Sequence, residues 1–211
     1  VRSGHLEVLD QTRLPGGEAW LPGDDPARMV GHIRRLAVRG APLIGVAAAL
    51  CLARWAEGGA GSRGLESARL ALRGARPTAV NLMNALDRLG GVMAQGGGAA
   101  DLVREAEAIF DEDVALCERL AVLGAALVRP GEALLTHCNA GALATAGIGT
   151  ALGVIRRAWE QGKVSQVWVD ETRPLLQGAR LTAWELGRLG IPSSQAVRRA
   201  PWSRGRASPP G

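Results

Sequence analysis

The chain changes its pattern at Arg129-Pro130-Gly131, and no other feature constrains its fold as tightly. Before that point apolar residues recur at helical spacings. After it the pattern predicts strand 132–137, helix 145–161, strand 165–170 and helix 177–189. That alternation belongs to a parallel sheet with covering helices, an α/β fold. Leu134-Leu135-Thr136-His137-Cys138 is a short apolar run ending on a cysteine, and Asn139-Ala140-Gly141-Ala142-Leu143-Ala144-Thr145 is a Gly/Ala-rich turn into a helix-like segment. Open α/β sheets bind ligands beyond the carboxyl ends of their strands. A thiol there is expected where chemistry is done, with the N–H groups of a helix start facing the same spot and lowering its pKa.

The first part reads as a hairpin followed by helices. Residues 5–21 alternate weakly around Pro15-Gly16-Gly17, with Leu6-Glu7-Val8-Leu9 as one arm. Asp25-Pro26 supplies an N-cap and a first-turn proline for a helix to Val38. Arg39-Gly40-Ala41-Pro42 breaks it, and helices are predicted over 43–57, 64–73 and, capped by Thr78, 79–95. Leu102, Ala106, Ile109, Asp113, Leu116, Leu120, Leu123 and Leu127 then alternate at spacings of four and three. They predict one continuous core-facing stripe on a helix that connects two halves of the molecule. Asp113 on that stripe is expected to find a hydrogen-bond partner at a packing junction.

Composition excludes several classes of function. Of 211 residues 47% are apolar, enough for a real core. Among 25 Lys and Arg only Lys163 is lysine, and Tyr is absent, a usage read as GC-rich coding. The net charge of +5 suggests a nucleic-acid partner, but four of those charges are Arg198, Arg199, Arg204 and Arg206 in a terminal segment without an acid. The remainder is nearly neutral, its arginines interleaved with Asp and Glu and without stacking aromatics, so nucleic-acid binding is not expected. No signal peptide or membrane-length apolar run is visible. Cys51, Cys117 and Cys138 are an odd, widely spaced set without metal-type pairing, and the first two fall in helical patterns as small buried residues. A cytoplasmic protein without metal or cofactor is expected.

Gly190-Ile191-Pro192 should open a third parallel strand, but the sequence offers none. Residues 193–211 lack periodicity, are rich in Arg, Ser, Pro and Gly, and predict a disordered tail. Two parallel strands make too small a sheet to stand alone. The second domain therefore reads as cut short, as a frameshift in GC-rich coding would do; a basic arm is the weaker alternative.

Four local patterns occur together: Val38-Arg39-Gly40-Ala41-Pro42; Ala75-Arg76-Pro77-Thr78-Ala79-Val80-Asn81; Thr136-His137-Cys138-Asn139-Ala140-Gly141-Ala142-Leu143-Ala144-Thr145; and Asp170-Glu171-Thr172-Arg173-Pro174-Leu175-Leu176-Gln177-Gly178-Ala179-Arg180-Leu181-Thr182. In this order the set resembles the methylthioribose-1-phosphate isomerases, within the superfamily of the initiation factor 2B subunits. The opening Leu9-Asp10-Gln11-Thr12-Arg13-Leu14-Pro15 fits them too, and the resemblance runs from about residue 5 to Pro192. It implies an N-terminal hairpin and helical domain (1–128), the first part of a Rossmann-like parallel-sheet domain (129–192) and a tail foreign to the family (193–211). It also implies an aldose–ketose isomerase of methionine salvage that acts on a sugar phosphate, without cofactor, as a homodimer.

Carried over motif by motif, Cys138 is the active-site cysteine, and Arg39, Gly40, Ala41, Arg76 and Gln177 contact substrate. Taken alone, Arg39 would be a solvated side chain in a helix–helix turn, Arg76 an exposed residue before a proline turn, and Gln177 a polar helix start. His137 is expected to bond locally, and Arg173 and Arg180 to form structural ion pairs. The family places a catalytic aspartate shortly after the Gly-Ile-Pro strand and an Asn-Lys contact beyond it, and residues 193–211 hold neither. The chain is therefore expected to fold poorly and lack turnover by itself. Two alternatives stand beside this assignment: a non-catalytic regulatory subunit of the initiation factor 2B type, and a ribose-1,5-bisphosphate isomerase.

Overall fold

A hairpin of β1 (Glu7–Leu9) and β2 (Trp20–Pro22), paired antiparallel with Val8 opposite Leu21, opens the computed structural model, which describes residues 5–195. The Asp25 carboxylate then accepts from the Arg28 N–H at 2.9 Å and starts α1 (Pro26–Arg34). That helix stops short of Val38. Leu36 turns left-handed at φ 63°, and the N–H groups of Ala37 and Val38 both fold back onto the His32 carbonyl. Next come α2 (Ala41–Glu57), α3 (Ser62–Arg73) and α4 (Val80–Ala94). The expected Thr78 cap is not made: the cap position is Ala79, and no side chain bonds there. α2 is buried nearly all round, from Ile44 through Ala49 and again from Cys51 to Ala53, so it forms the axis of the first core. A Cβ at Gly45 would lie 2.8 Å from the Asn81 carbonyl, which is how closely α4 crosses it.

The long helix α5 (Ala99–Leu127) departs from the predicted stripe halfway along. Leu102, Ala106 and Ile109 are buried in the first core as expected. From there the buried line runs through Cys117, Ala121 and Ala125, while Leu116, Leu120, Leu123 and Leu127 are exposed. A pattern of alternating threes and fours drifts about 20° per heptad around a straight helix, so it cannot keep one side over so many turns. The small residues are buried because another helix comes close. A Cβ at Gly153 would sit 3.6 Å from Ala121, and one at Gly124 would collide with Val154. α5 thus supplies side chains to both cores.

The second core lies on one face of a parallel sheet in the order β3 (Glu132–His137), β4 (Val164–Asp170), β5 (Ser193–Gln195). β5 corrects the expectation that no third strand forms: Val167, Trp168 and Val169 pair with Ser193, Ser194 and Gln195. Polar side chains hid the strand from a hydrophobicity pattern, but parallel pairing uses the backbone. The predicted structureless tail falls for the rest on residues 196–211, outside the described residues. Val167 and Val169 face α6 (Ala151–Glu160) and α7 (Ala183–Arg188), whereas Leu135 and its register partner Trp168 point out of the opposite face. The predicted helix at 145 starts only at Ala151, after a 3-10 turn at Ala142–Ala144.

The two cores are joined by more than α5. Leu14, Leu143 and Leu181 form a small apolar cluster between the hairpin loop and the sheet layer. The Gln11 amide donates to the Leu143 carbonyl at 2.6 Å. Arg180 donates to the carbonyls of Gln11, Thr12 and Leu14, so the predicted ion pair is in fact a clamp on backbone oxygens, and exposed Arg173 pairs with no acid among the described residues. Asp113 finds the partner its position requires: it accepts from the Ala146 N–H at 2.6 Å. Among the described residues no helix is long and apolar enough to cross a membrane.

Candidate active site

Five of the six residues singled out from the motifs line one cleft of about 340 Å³ at the junction of the two halves. Arg39, Gly40 and Ala41 come from the α1–α2 turn, Arg76 from the α3–α4 connection, and Gln177 from the segment after β4. Leu36, Ile44 and Leu175 give it an apolar wall.

Backbone geometry explains why the α1–α2 turn needs these residues. Gly40 has φ 92°, and a Cβ there would lie 2.5 Å from the Ala144 Cα, so both the conformation and the approach of the second half demand glycine. α2 begins immediately after it with no side chain capping its N-terminus, and that end opens on the cleft. Uncapped N–H groups and the positive end of the helix dipole favour an anion there. Half-buried Arg76 adds a guanidinium that pairs with no acid among the described residues. Burial and the positive charge of Arg76 lower the Arg39 pKa, against the pull of Cys138 and Glu185. The Gln177 side-chain oxygen accepts from the Thr172 hydroxyl. Gln177 sits at the entry of a π-helical turn, Gly178–Thr182, a distortion frequent at functional sites.

Cys138 does not line the cleft, but it stands beside it. It directly follows β3, half-buried, at φ 63°, an uncommon conformation for a residue with a side chain. Its neighbour Asn139 is gripped by Arg39: Nη1 donates to Oδ1 at 2.9 Å and Nη2 to the carbonyl at 3.1 Å. The helix start expected beside the thiol comes only at Ala151, and N–H groups near it are drawn to other acceptors. The N–H groups of Thr150 and Leu152 at the head of α6 both donate to the Ala140 carbonyl, and the Leu143 N–H donates to Glu185. His137 bonds locally, as expected, to Asp170 at 3.0 Å. Among the described residues no group of three His, Cys, Asp or Glu is placed to hold a metal ion.

The sequence did not point to Glu185, a carboxylate only 8% exposed. It accepts from Asn139 Nδ2 at 2.6 Å, and Thr182 Oγ1 beside it donates to the Cys138 carbonyl at 2.6 Å. Burial pushes the Glu185 carboxyl above its ordinary value; the bonds from Asn139, Leu143 and Ala142 and the charge of Arg39 pull against that shift. The signal was present. Gly178, Leu181, Thr182 and Leu186 are the buried side of this segment, and an acid at 185 interrupts it.

The chain as a whole is similar to proteins of one family. Residues 37–200 match the model of the initiation factor 2 subunit family. The methylthioribose-1-phosphate isomerase of Yersinia pestis (strain Pestoides F) is 58% identical over 192 residues, which is 91% of this chain and 56% of that protein. That of Cronobacter sakazakii (strain ATCC BAA-894) is 60% identical over 91% of this chain and 57% of its own length. The chain thus spans a little over half the length of these curated relatives. Among solved structures, the 5-methylthioribose 1-phosphate isomerase of Pyrococcus horikoshii OT3 superposes with a TM-score of 0.85 at 36% identity, over 92% of this chain and 58% of that one. The translation initiation factor 2B subunit delta of A. fulgidus gives 0.81 at 38% identity, over 92% and 60%.

Proposed function

Since the chain belongs to the initiation factor 2 subunit family, we propose that its cleft is the sugar-phosphate site of an aldose–ketose isomerase that converts S-methyl-5-thioribose 1-phosphate to methylthioribulose 1-phosphate. The observation that carries this is the convergence of Arg39, Arg76, Gln177 and the uncapped N-terminus of α2 on one cleft. The two arginines and the helix end suit a phosphate, and the Gln177 amide suits a sugar hydroxyl. The names of the isomerases of Y. pestis and C. sakazakii support the choice of substrate.

The chemistry fits these groups. A 1-phosphate blocks simple opening at the anomeric carbon. The bond from C1 to the ring oxygen must break as that oxygen gains a proton, hydrogen must pass from C2 to C1, and the C2 hydroxyl must lose its proton. The sum is an isomerisation that needs no outside oxidant or reductant. We assign Cys138, close enough to Arg39 to interact with its charge, to proton transfer at the reacting carbons. The apolar wall of Leu36, Ile44 and Leu175 shields them from water. We divide the chain at about residue 128, place it in the cytoplasm, and expect a homodimer of the full-length family members.

Calorimetric titration of the purified chain with methylthioribose 1-phosphate tests the assignment, with the ketose product followed in parallel. Saturable binding is expected. Arg76→Ala removes a charge-assisted contact worth about 1.5–3 kcal/mol and should weaken binding by roughly 10- to 150-fold with little change in thermal midpoint, since Arg76 has no ion pair to lose among the described residues. Absence of saturable binding, or an unchanged affinity in Arg76→Ala, refutes it.

A further inference from the structure

We propose that Glu185 is a positioning residue of the cleft: through Asn139 its carboxylate fixes the orientation in which Arg39 meets the substrate phosphate, an inference that rests on the sugar-phosphate assignment above. The two groups form no ion pair; Asn139 stands between them. An asparagine amide has an acceptor end and a donor end. Here the acceptor end takes Arg39 Nη1, while the NH2 end gives one bond to Glu185 Oε1 at 2.6 Å and one to Thr182 Oγ1 at 3.2 Å. A carboxylate accepts only, so Glu185 forces the NH2 group toward itself and the amide oxygen toward the guanidinium. Without it Asn139 can turn over, and its NH2 group would then oppose a cation.

The surroundings hold the carboxylate in that role. The Leu143 N–H bonds its second oxygen at 3.4 Å. Gly141 leaves the space it occupies: a Cβ at 141 would collide with both carboxylate oxygens, although the backbone there, at φ −101°, suits any residue. The Thr182 hydroxyl ties the same cluster to the Cys138 carbonyl. Asn139 thereby stands at the junction of the acid, the arginine and the threonine that holds the Cys138 carbonyl.

A double-mutant cycle separates positioning from a merely structural role. With methylthioribose 1-phosphate as titrant, Glu185→Gln is expected to weaken binding about tenfold in the wild-type background and hardly at all in Arg39→Ala, because its effect passes through that arginine. Gly141→Ala, which disturbs the carboxylate without removing it, is expected to do the same. Losses that add fully in the Arg39→Ala background overturn the proposal. Nuclear magnetic resonance of the Asn139 side-chain NH2 provides a readout that does not depend on the ligand. Slow exchange in the wild type that is lost in Glu185→Gln supports the relay even if the sugar phosphate fails to bind, an outcome that would sink only the substrate assignment. Unchanged exchange overturns the relay.

Discussion

Gly40→Ala puts a methyl group where the two halves of the molecule come closest. The new Cβ would lie 2.5 Å from the Ala144 Cα, 2.6 Å from its carbonyl oxygen and 2.7 Å from its Cβ, at a φ of 92°. The backbone conformation alone, φ 92° with ψ 127°, costs an alanine about 1–3 kcal/mol, and overpacking of this kind adds about 1–3 kcal/mol, for a loss of about 2–6 kcal/mol. With a urea slope of about 2 kcal/mol/M, the denaturation midpoint falls by about 1–3 M at constant slope. The partner change Ala144→Gly removes only the Cβ contact; the Cα and carbonyl stay in the way, so the double variant recovers under half of the loss. Urea denaturation followed by far-ultraviolet circular dichroism measures both. A Gly40→Ala midpoint within about 0.2 M of wild type, equivalent to roughly 0.5 kcal/mol, would refute the claim that this glycine sets the junction.

Two further predictions concern pH and the long helix. Burial raises the Asp10 carboxyl, but the Thr12 hydroxyl and N–H and the Arg35 guanidinium more than reverse it, so the folded value lies below the ordinary one. Its stabilisation is present above the ordinary carboxylate value and lost as pH falls through the lowered one. Glu185 has the opposite sign: its folded value is raised, so stability declines as pH rises from the ordinary value through the raised one. Urea midpoints over about pH 3 to 8 should fall less steeply on the acid side in Asp10→Asn, with the remaining lowered carboxyls still contributing, and decline less above the ordinary Glu value in Glu185→Gln; curves parallel to wild type would contradict the assignment. On α5, Ala121→Leu should destabilise by about 1–3 kcal/mol because Ala121 is fully buried against Gly153, whereas Leu123→Lys, 65% exposed, should stay within about 0.5 kcal/mol. The reverse order in thermal denaturation would restore the leucine stripe.

Much of the fold was legible where one local rule decided it. Asp25-Pro26 specified a helix start, and the run into Cys138 specified a strand end, because capping and alternation act over a few residues. The leucine stripe failed past Asp113 because a drifting pattern looks regular on paper, while the buried side is chosen by where a neighbour can approach, and small residues allow it. β5 was missed because its pairing lies in the backbone, not in the side chains of Ser193, Ser194 and Gln195. At the candidate site, Arg39, Arg76 and Gln177 were found through motif resemblance; no spacing rule places residues 37 and 101 positions apart in one cleft. Glu185 was passed over because an acid within an amphipathic helix usually faces water. Only the fold shows that this one faces Asn139.

That a single 29-residue rod is built into both cores has a consequence for how the cleft is entered. Swinging the halves apart would require bending α5 and pulling Asp113 off the Ala146 amide, and nothing in that helix, neither proline nor irregular turn, offers a pivot. The distance between the Arg39 side and the Gln177 side is therefore built in, like the gap of a fixed gauge. A gap held in this way would admit an occupant by size at entry and would not close around it.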